Sequence, residues 1–129
     1  MSKTLRVLLV EDSPDDAELL VSQLEREGYT IISERVETAA AMSAALDRQS
    51  WDVILCDYSM PSFDALAALK IMKEKGLDLP FIIVSGVIGE EIAVAAMQAG
   101  AHDYLLKNRL TRLARPFSSY EFVEALLSG

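Results

Sequence analysis

Four apolar runs of this chain are each followed at once by a residue able to do chemistry. Leu5–Val10 runs into Glu11 and Asp12, Val53–Cys56 into Asp57, Phe81–Val84 into Ser85, and Tyr104–Leu106 into Lys107. If the runs are parallel strands, three acids, a hydroxyl and a lysine emerge at one edge of a sheet, where open parallel sheets hold their ligands. Carboxylates brought together repel and resist ionisation unless a cation joins them. Hard oxygen ligands suit Mg²⁺, which takes one or two carboxylates, keeps several waters and leaves room for phosphate oxygens. A lysine ammonium pairs with a phosphoryl oxygen as a point charge, and a serine hydroxyl can donate to another. Such a set supplies the positioning and charge stabilisation that phosphoryl transfer needs. Its nucleophile would be a carboxylate, forming an acyl phosphate. The residues alone do not say which carboxylate. A lone Glu-Asp pair is most often solvated surface, so the weight rests on its company with a second acid at a neighbouring strand end.

The elements that must position these groups can be read from the same pattern. The four runs, with Thr30–Val36, are short and rich in Val, Ile and Leu. Most lack clean alternation, as strands buried on both faces do. Helices are predicted between them. The first opens on Ser13 as cap and Pro14 at the first helical position, turns Ala17, Leu20, Val21 and Leu24 to one face, and stops at Gly28. The second is capped by Thr38 and runs through an alanine-rich stretch to about Gln49. The third follows Asp64, with Leu66, Leu69 and Met72 on one stripe and Gly76 at its end. The fourth begins near Gly89-Glu90-Glu91, whose carboxylates suit a helix N-terminus, and ends at Gly100. Strand and helix in strict alternation predict an α/β fold, a five-stranded parallel sheet with helices on both faces. Beyond Lys107 the pattern loosens. A short turn near 109–114, a break at Pro116 and a last helix over about 118–128 are expected, with Ser118 and Glu121 at capping-box spacing. The alternative is one kinked helix, which an interior proline would destabilise by about 3 kcal/mol.

Composition sets the outer bounds. The chain has 129 residues, 51% hydrophobic and 25% charged, with a net charge of −8. That length fits one domain, 1–129, with a core that needs no covalent staple. One cysteine excludes a disulfide framework or a Cys-cluster zinc site. The N-terminal apolar run is too short for a signal peptide or a membrane span, so a soluble cytoplasmic protein is expected. The acidic balance argues against direct nucleic-acid binding. The basic residues Lys107, Arg109, Arg112 and Arg115 near the C-terminus read as a solvated helical face.

At this point the residues resemble a response-regulator receiver domain of two-component signalling, of the chemotaxis-receiver type. The resemblance is carried by Val7-Leu-Leu-Val-Glu-Asp12, Asp57-Tyr-Ser-Met-Pro61, Ile83-Val-Ser-Gly86 and Asp103-Tyr-Leu-Leu-Lys107, in the family's order and near its spacings. It implies a flavodoxin-like three-layer sandwich of strand order 2-1-3-4-5. It implies that Asp57 is the phosphoacceptor and that Asp12 is a direct carboxylate ligand of Mg²⁺, with Glu11 helping directly or through water. Ser59 would bind the metal through its backbone carbonyl, and Lys107 would contact the phosphoryl group. Ser85 would be the switch hydroxyl, Tyr104 the switch aromatic and Pro61 the turn proline. The partners implied are a sensor histidine kinase or phosphotransfer protein as donor, and a downstream protein or a second copy on the face made by the fourth helix, fifth strand and last helix. The chain would not be a turnover enzyme, although uptake from small donors and autodephosphorylation are within its chemistry.

Three departures from the family pattern stand out. Ala65 occupies a place where many relatives have glycine. Asn108 follows Lys107 where many have a proline, often cis, so a trans bond is expected. Arg115-Pro116-Phe117 looks like the family's usual start of the last helix, displaced downstream, which makes 108–117 an irregular or inserted segment.

Other features have blander readings. Cys56 is expected as a small buried filler rather than a redox thiol, Ser13 as a cap rather than a ligand, and Trp51 and Phe63 as packing. His102 precedes a strand and is a poor phosphohistidine. Tyr104 could be ordinary core, and the stretch Ile92–Ala99 either packing or a partner surface. Val87, beside the site with Ser59, is expected to tune water access. A phosphorylation-independent pseudo-receiver is the main alternative, although such modules normally lack an acid or the lysine. An aspartate-nucleophile phosphatase would want a second Asp where Ser59 stands. A flavin carrier would want a hydroxyl-rich loop after the first strand.

Overall fold

The computed structural model describes residues 3–26, 28–58, 63–85, 94–95, 97–101 and 103–106. Eight elements follow in chain order: β1 Lys3–Val10, α1 Pro14–Arg26, β2 Tyr29–Val36, α2 Ala39–Arg48, β3 Val53–Asp57, α3 Ala65–Glu74, β4 Phe81–Ser85 and β5 Asp103–Leu106. Val94, Ala95, Met97 and Gln98 are also helical, inside the predicted fourth helix. All strand pairs are parallel, in the order β2-β1-β3-β4-β5. This is the flavodoxin-like arrangement expected.

Local chemistry accounts for the helix boundaries. Ser13 Oγ accepts from Asp16 N at 3.2 Å, Thr38 Oγ1 from Ala41 N at 3.1 Å and Asp64 Oδ1 from Ala67 N at 2.8 Å, so α1, α2 and α3 each open on a side-chain cap. α3 closes with Leu77 N on Met72 O and Gly76 N on Lys73 O, at 3.2 and 3.0 Å. That pair of bonds is a Schellman end, and it needs the left-handed backbone Gly76 adopts at φ 71°.

Strand pleat divides the core in two. Leu5, Val7 and Leu9 of β1, Val53 and Leu55 of β3, and Ile82 and Val84 of β4 face α1, through Ala17, Leu20 and Leu24. The alternate residues Leu8, Val10, Ile54, Cys56, Phe81 and Ile83 face α2 and α3, with Met42, Leu46, Leu69, Met72, Trp51 and Phe63. β3 is buried at every position, as its unalternating sequence predicted.

Two expectations need correction. Leu66 is exposed instead of sharing a stripe with Leu69 and Met72. The buried face of α3 is Ala65, Ala68, Leu69 and Met72, so small alanines at the sheet set the direction of the stripe. The Thr30–Val36 run is not a doubly buried strand. β2 lies at the sheet edge and leaves Thr30, Ile32, Ser33 and Arg35 exposed. Its Glu34 pairs with Arg48 of α2, a charge that suits an open edge. The expectations for 107–129, including the irregular 108–117 segment, the bond after Lys107 and the last helix, lie outside the described residues, as do those for His102 and Val87.

Candidate functional site

β1 and β3 are neighbours, so their carboxyl ends deliver Glu11, Asp12 and Asp57 to one place. Each of the three carboxylates offers an oxygen within 4.8 Å of the others. Their environments differ. Glu11 and Asp57 are buried, at 1% and 4% exposure, whereas Asp12 is exposed.

Glu11 is held on several sides. Its N–H donates to Val36 O at 2.9 Å, prolonging the β1–β2 ladder past the last strand residue. Its carbonyl accepts from Arg35 Nη1 at 3.2 Å, and its Oε1 accepts from Ser13 N at 3.1 Å. The residue that caps α1 thus also fixes a carboxylate of the cluster. Asp57 ends β3 opposite Val84, and the next residue, Tyr58, donates its N–H to Val84 O at 3.0 Å. Directly beneath, the Cys56 thiol is buried and lies 3.4 Å from the Asp57 carbonyl. Burial, and then the negative charges of Asp57, Glu11 and Asp64, push that thiol well above its ordinary range. A protonated thiol in this position is packing, not a nucleophile.

Three hard oxygen donors on a fixed strand edge, with one side open through the exposed Asp12, fit a small divalent cation such as Mg²⁺. The cluster is a poor fit for soft metals, which want thiolate or imidazole.

The other expected site residues fall differently. Ser85 ends β4, paired with Leu106, and Tyr104 lies in β5 paired with Ile83, so both backbones belong to the same half of the sheet as Asp57. Ser59, Pro61 and Lys107 lie outside the described residues. Arg35 is the contact that the residue pattern did not reveal. It stands in the parallel register opposite Leu9, and no single-strand pattern tells which β2 side chain will reach the end of β1.

Sheet order, layers and a carboxyl-edge acidic cluster define a flavodoxin-like domain with a candidate cation site. The family follows directly: the model of the response regulator receiver domain matches residues 7–115, and the chain belongs to that family. The DNA-binding transcriptional regulator NtrC of Proteus hauseri is 38% identical over 101 residues, which is 78% of this chain and 21% of that protein. The chain spans about a fifth to a half of the length of the curated relatives it matches. Among solved structures, the signal receiver domain of a signal transduction histidine kinase from Syntrophus aciditrophicus aligns with TM-score 0.71 and 29% identity, over 97% of this chain and 91% of that one. The receiver domain of the sensor histidine kinase PA1611 from Pseudomonas aeruginosa PAO1 shares the fold at TM-score 0.71 and 23% identity, over 98% and 99%. That structure holds a magnesium ion in its active site cleft. Among the described residues, no helix is long and apolar enough to cross a membrane.

Proposed function

We propose that this receiver domain accepts a phosphoryl group on Asp57 from a phosphohistidine of a sensor kinase or phosphotransfer protein. The reading rests on one observation: the carboxylates of Glu11, Asp12 and Asp57 converge within 4.8 Å at adjacent strand ends, with Asp57 buried at the last residue of β3. An Asp57 oxygen attacks phosphorus, and the bond from phosphorus to the donor nitrogen breaks. The imidazole leaves with that electron pair and takes up a proton. Asp12 and Asp57, with the Ser59 carbonyl and with Glu11 directly or through water, would hold Mg²⁺. Bound there, Mg²⁺ supplies charge neutralisation for the phosphoryl oxygens. Lys107 contacts the phosphoryl group as a point charge. Ser85 moves toward it and vacates space into which Tyr104 turns, shifting the population of a partner-binding face. That face comprises the fourth helix, β5 and the last helix expected over about 118–128, and it docks a downstream protein or a second copy. As a receiver domain the chain is a signalling domain and not a classical enzyme.

Intact mass after incubation with acetyl phosphate tests the reading. Wild-type protein gains one phosphoryl group in the presence of Mg²⁺. The gain disappears in chelator and in Asp57→Asn. Absence of both an adduct and Mg²⁺ binding would overturn it and favour a phosphorylation-independent interaction module.

A further inference from the structure

The structure assigns Arg35 a role in the site: we propose that it is a positioning residue that holds the turn between β1 and α1 in the geometry a divalent cation needs. The inference deepens the reading above and rests on it. Glu11 and Asp12 are consecutive, so the peptide between them decides where both carboxylates can reach. That peptide's oxygen is the Glu11 carbonyl, and Arg35 Nη1 donates to it at 3.2 Å. The same nitrogen lies 3.5 Å from Glu37 Oε2, and the Arg35 side chain is 34% exposed. The guanidinium therefore stands between the carbonyl and Glu37, at the edge of the site and outside both cores. The Glu11 N–H is tied to Val36 O and its Oε1 to Ser13 N. Arg35 adds a restraint on the carbonyl. Carboxylates gathered this closely repel one another, and the exposed Asp12 has solvent to move into. A turn fixed through its carbonyl keeps Asp12 on the cluster side, as outer partners of metal ligands do elsewhere.

The proposal makes a prediction of sign. A cation beside a cation site weakens binding by repulsion, so if Arg35 acted only through its charge, removing it would tighten Mg²⁺. If it positions the turn, removing it loosens Mg²⁺. Calorimetric titration of Mg²⁺ alone into the full chain separates the two. Arg35→Met, which keeps the aliphatic stem and loses charge and donors, is expected to weaken binding about tenfold. Arg35→Lys, which keeps a donor and the charge, is expected to stay within about threefold of wild type. Midpoints of thermal unfolding without Mg²⁺ should barely move, because the side chain lies outside the core. With acetyl phosphate, the uptake rate of Arg35→Met should return to the wild-type value at saturating Mg²⁺. Binding as tight as wild type or tighter in Arg35→Met would overturn the assignment. So would a rate that stays low at saturating Mg²⁺, since Arg35 would then act on the transfer itself. If wild-type protein binds no Mg²⁺, the functional reading fails and this inference falls with it. If wild type binds and Arg35→Met is unchanged, only the inference fails.

Discussion

The two edges of the sheet treat their polar groups in opposite ways. At the amino edge, Asp52 Oδ2 accepts from Arg6 N at 2.8 Å while its own N–H donates to Arg6 O. Asp47 pairs with Lys75 at 2.7 Å, and the buried Trp51 indole donates to Ala45 O at 3.0 Å. Each of these groups has a partner of complementary charge or dipole. At the carboxyl edge, Glu11, Asp12 and Asp57 turn like charges toward one another, two of them buried. The same strands run through both edges, so the contrast is not one of fold. It separates an edge where acids meet donors from an edge where three acids also meet one another, the arrangement that the proposed cation site would use.

The largest effect should come from the amino edge. Trp51→Ala removes a side chain only 4% exposed that packs with Met42, Leu46 and Phe81 and closes the loop between α2 and β3. A loss of about 3–5 kcal/mol is expected in denaturant unfolding, with Mg²⁺ affinity of the folded protein unchanged. A fall in affinity comparable to the loss in stability would show that the edges are coupled through β3.

At the carboxyl edge the effect should depend on metal. Asp57→Asn removes one of the three clustered carboxylates. Added Mg²⁺ stabilises a protein that binds it, so the rise in unfolding midpoint between metal-free and Mg²⁺-containing buffer should be smaller in Asp57→Asn than in wild type. An equal rise in the two proteins would mean that the Asp57 carboxylate takes no part in holding the ion.

How much of this could be read from residues alone follows from how local each determinant is. Strands, caps and the Gly76 stop depend on a few neighbouring residues, and the sequence carries them plainly. The juxtaposition of Glu11 and Asp12 with Asp57 was readable for a related reason. Each acid directly follows an apolar run, and parallel pairing of the runs does the rest. The stripe on α3 was misplaced at Leu66 because Ala65 and Ala68 carry too little hydrophobic contrast to show which way the helix turns. The exposure of Ile32 depends on β2 lying at the edge, a property of sheet order and not of the strand. Arg35 on the Glu11 carbonyl, and the burial of Glu11 beside an exposed Asp12, depend on register between strands distant in sequence. No local pattern encodes these contacts.

Cys56 sharpens the contrast at its boundary, being adjacent to Asp57 in sequence yet part of the packed core. Burial first, and then the charges of Asp57, Glu11 and Asp64, raise its pKa in the folded state. The folded protein therefore holds the thiol proton more tightly than the unfolded chain does. The associated stability is complete below the unfolded pKa, near 9.0, and is lost as pH rises from there toward the folded value. Measured against Cys56→Ala in metal-free buffer, the wild-type advantage should be flat from about pH 6 to about pH 8 and shrink, by on the order of 1 kcal/mol, by about pH 9.5. Other groups that titrate in this range are common to both proteins and cancel in the difference. Alkylation of the native thiol should be slow over the same range, since both burial and protonation oppose it. An advantage that stays constant to about pH 9.5 would mean that the folded strand end accommodates a thiolate. The acidic edge would then reach one residue deeper into β3, and the division between the two regions would fall below Cys56 rather than above it.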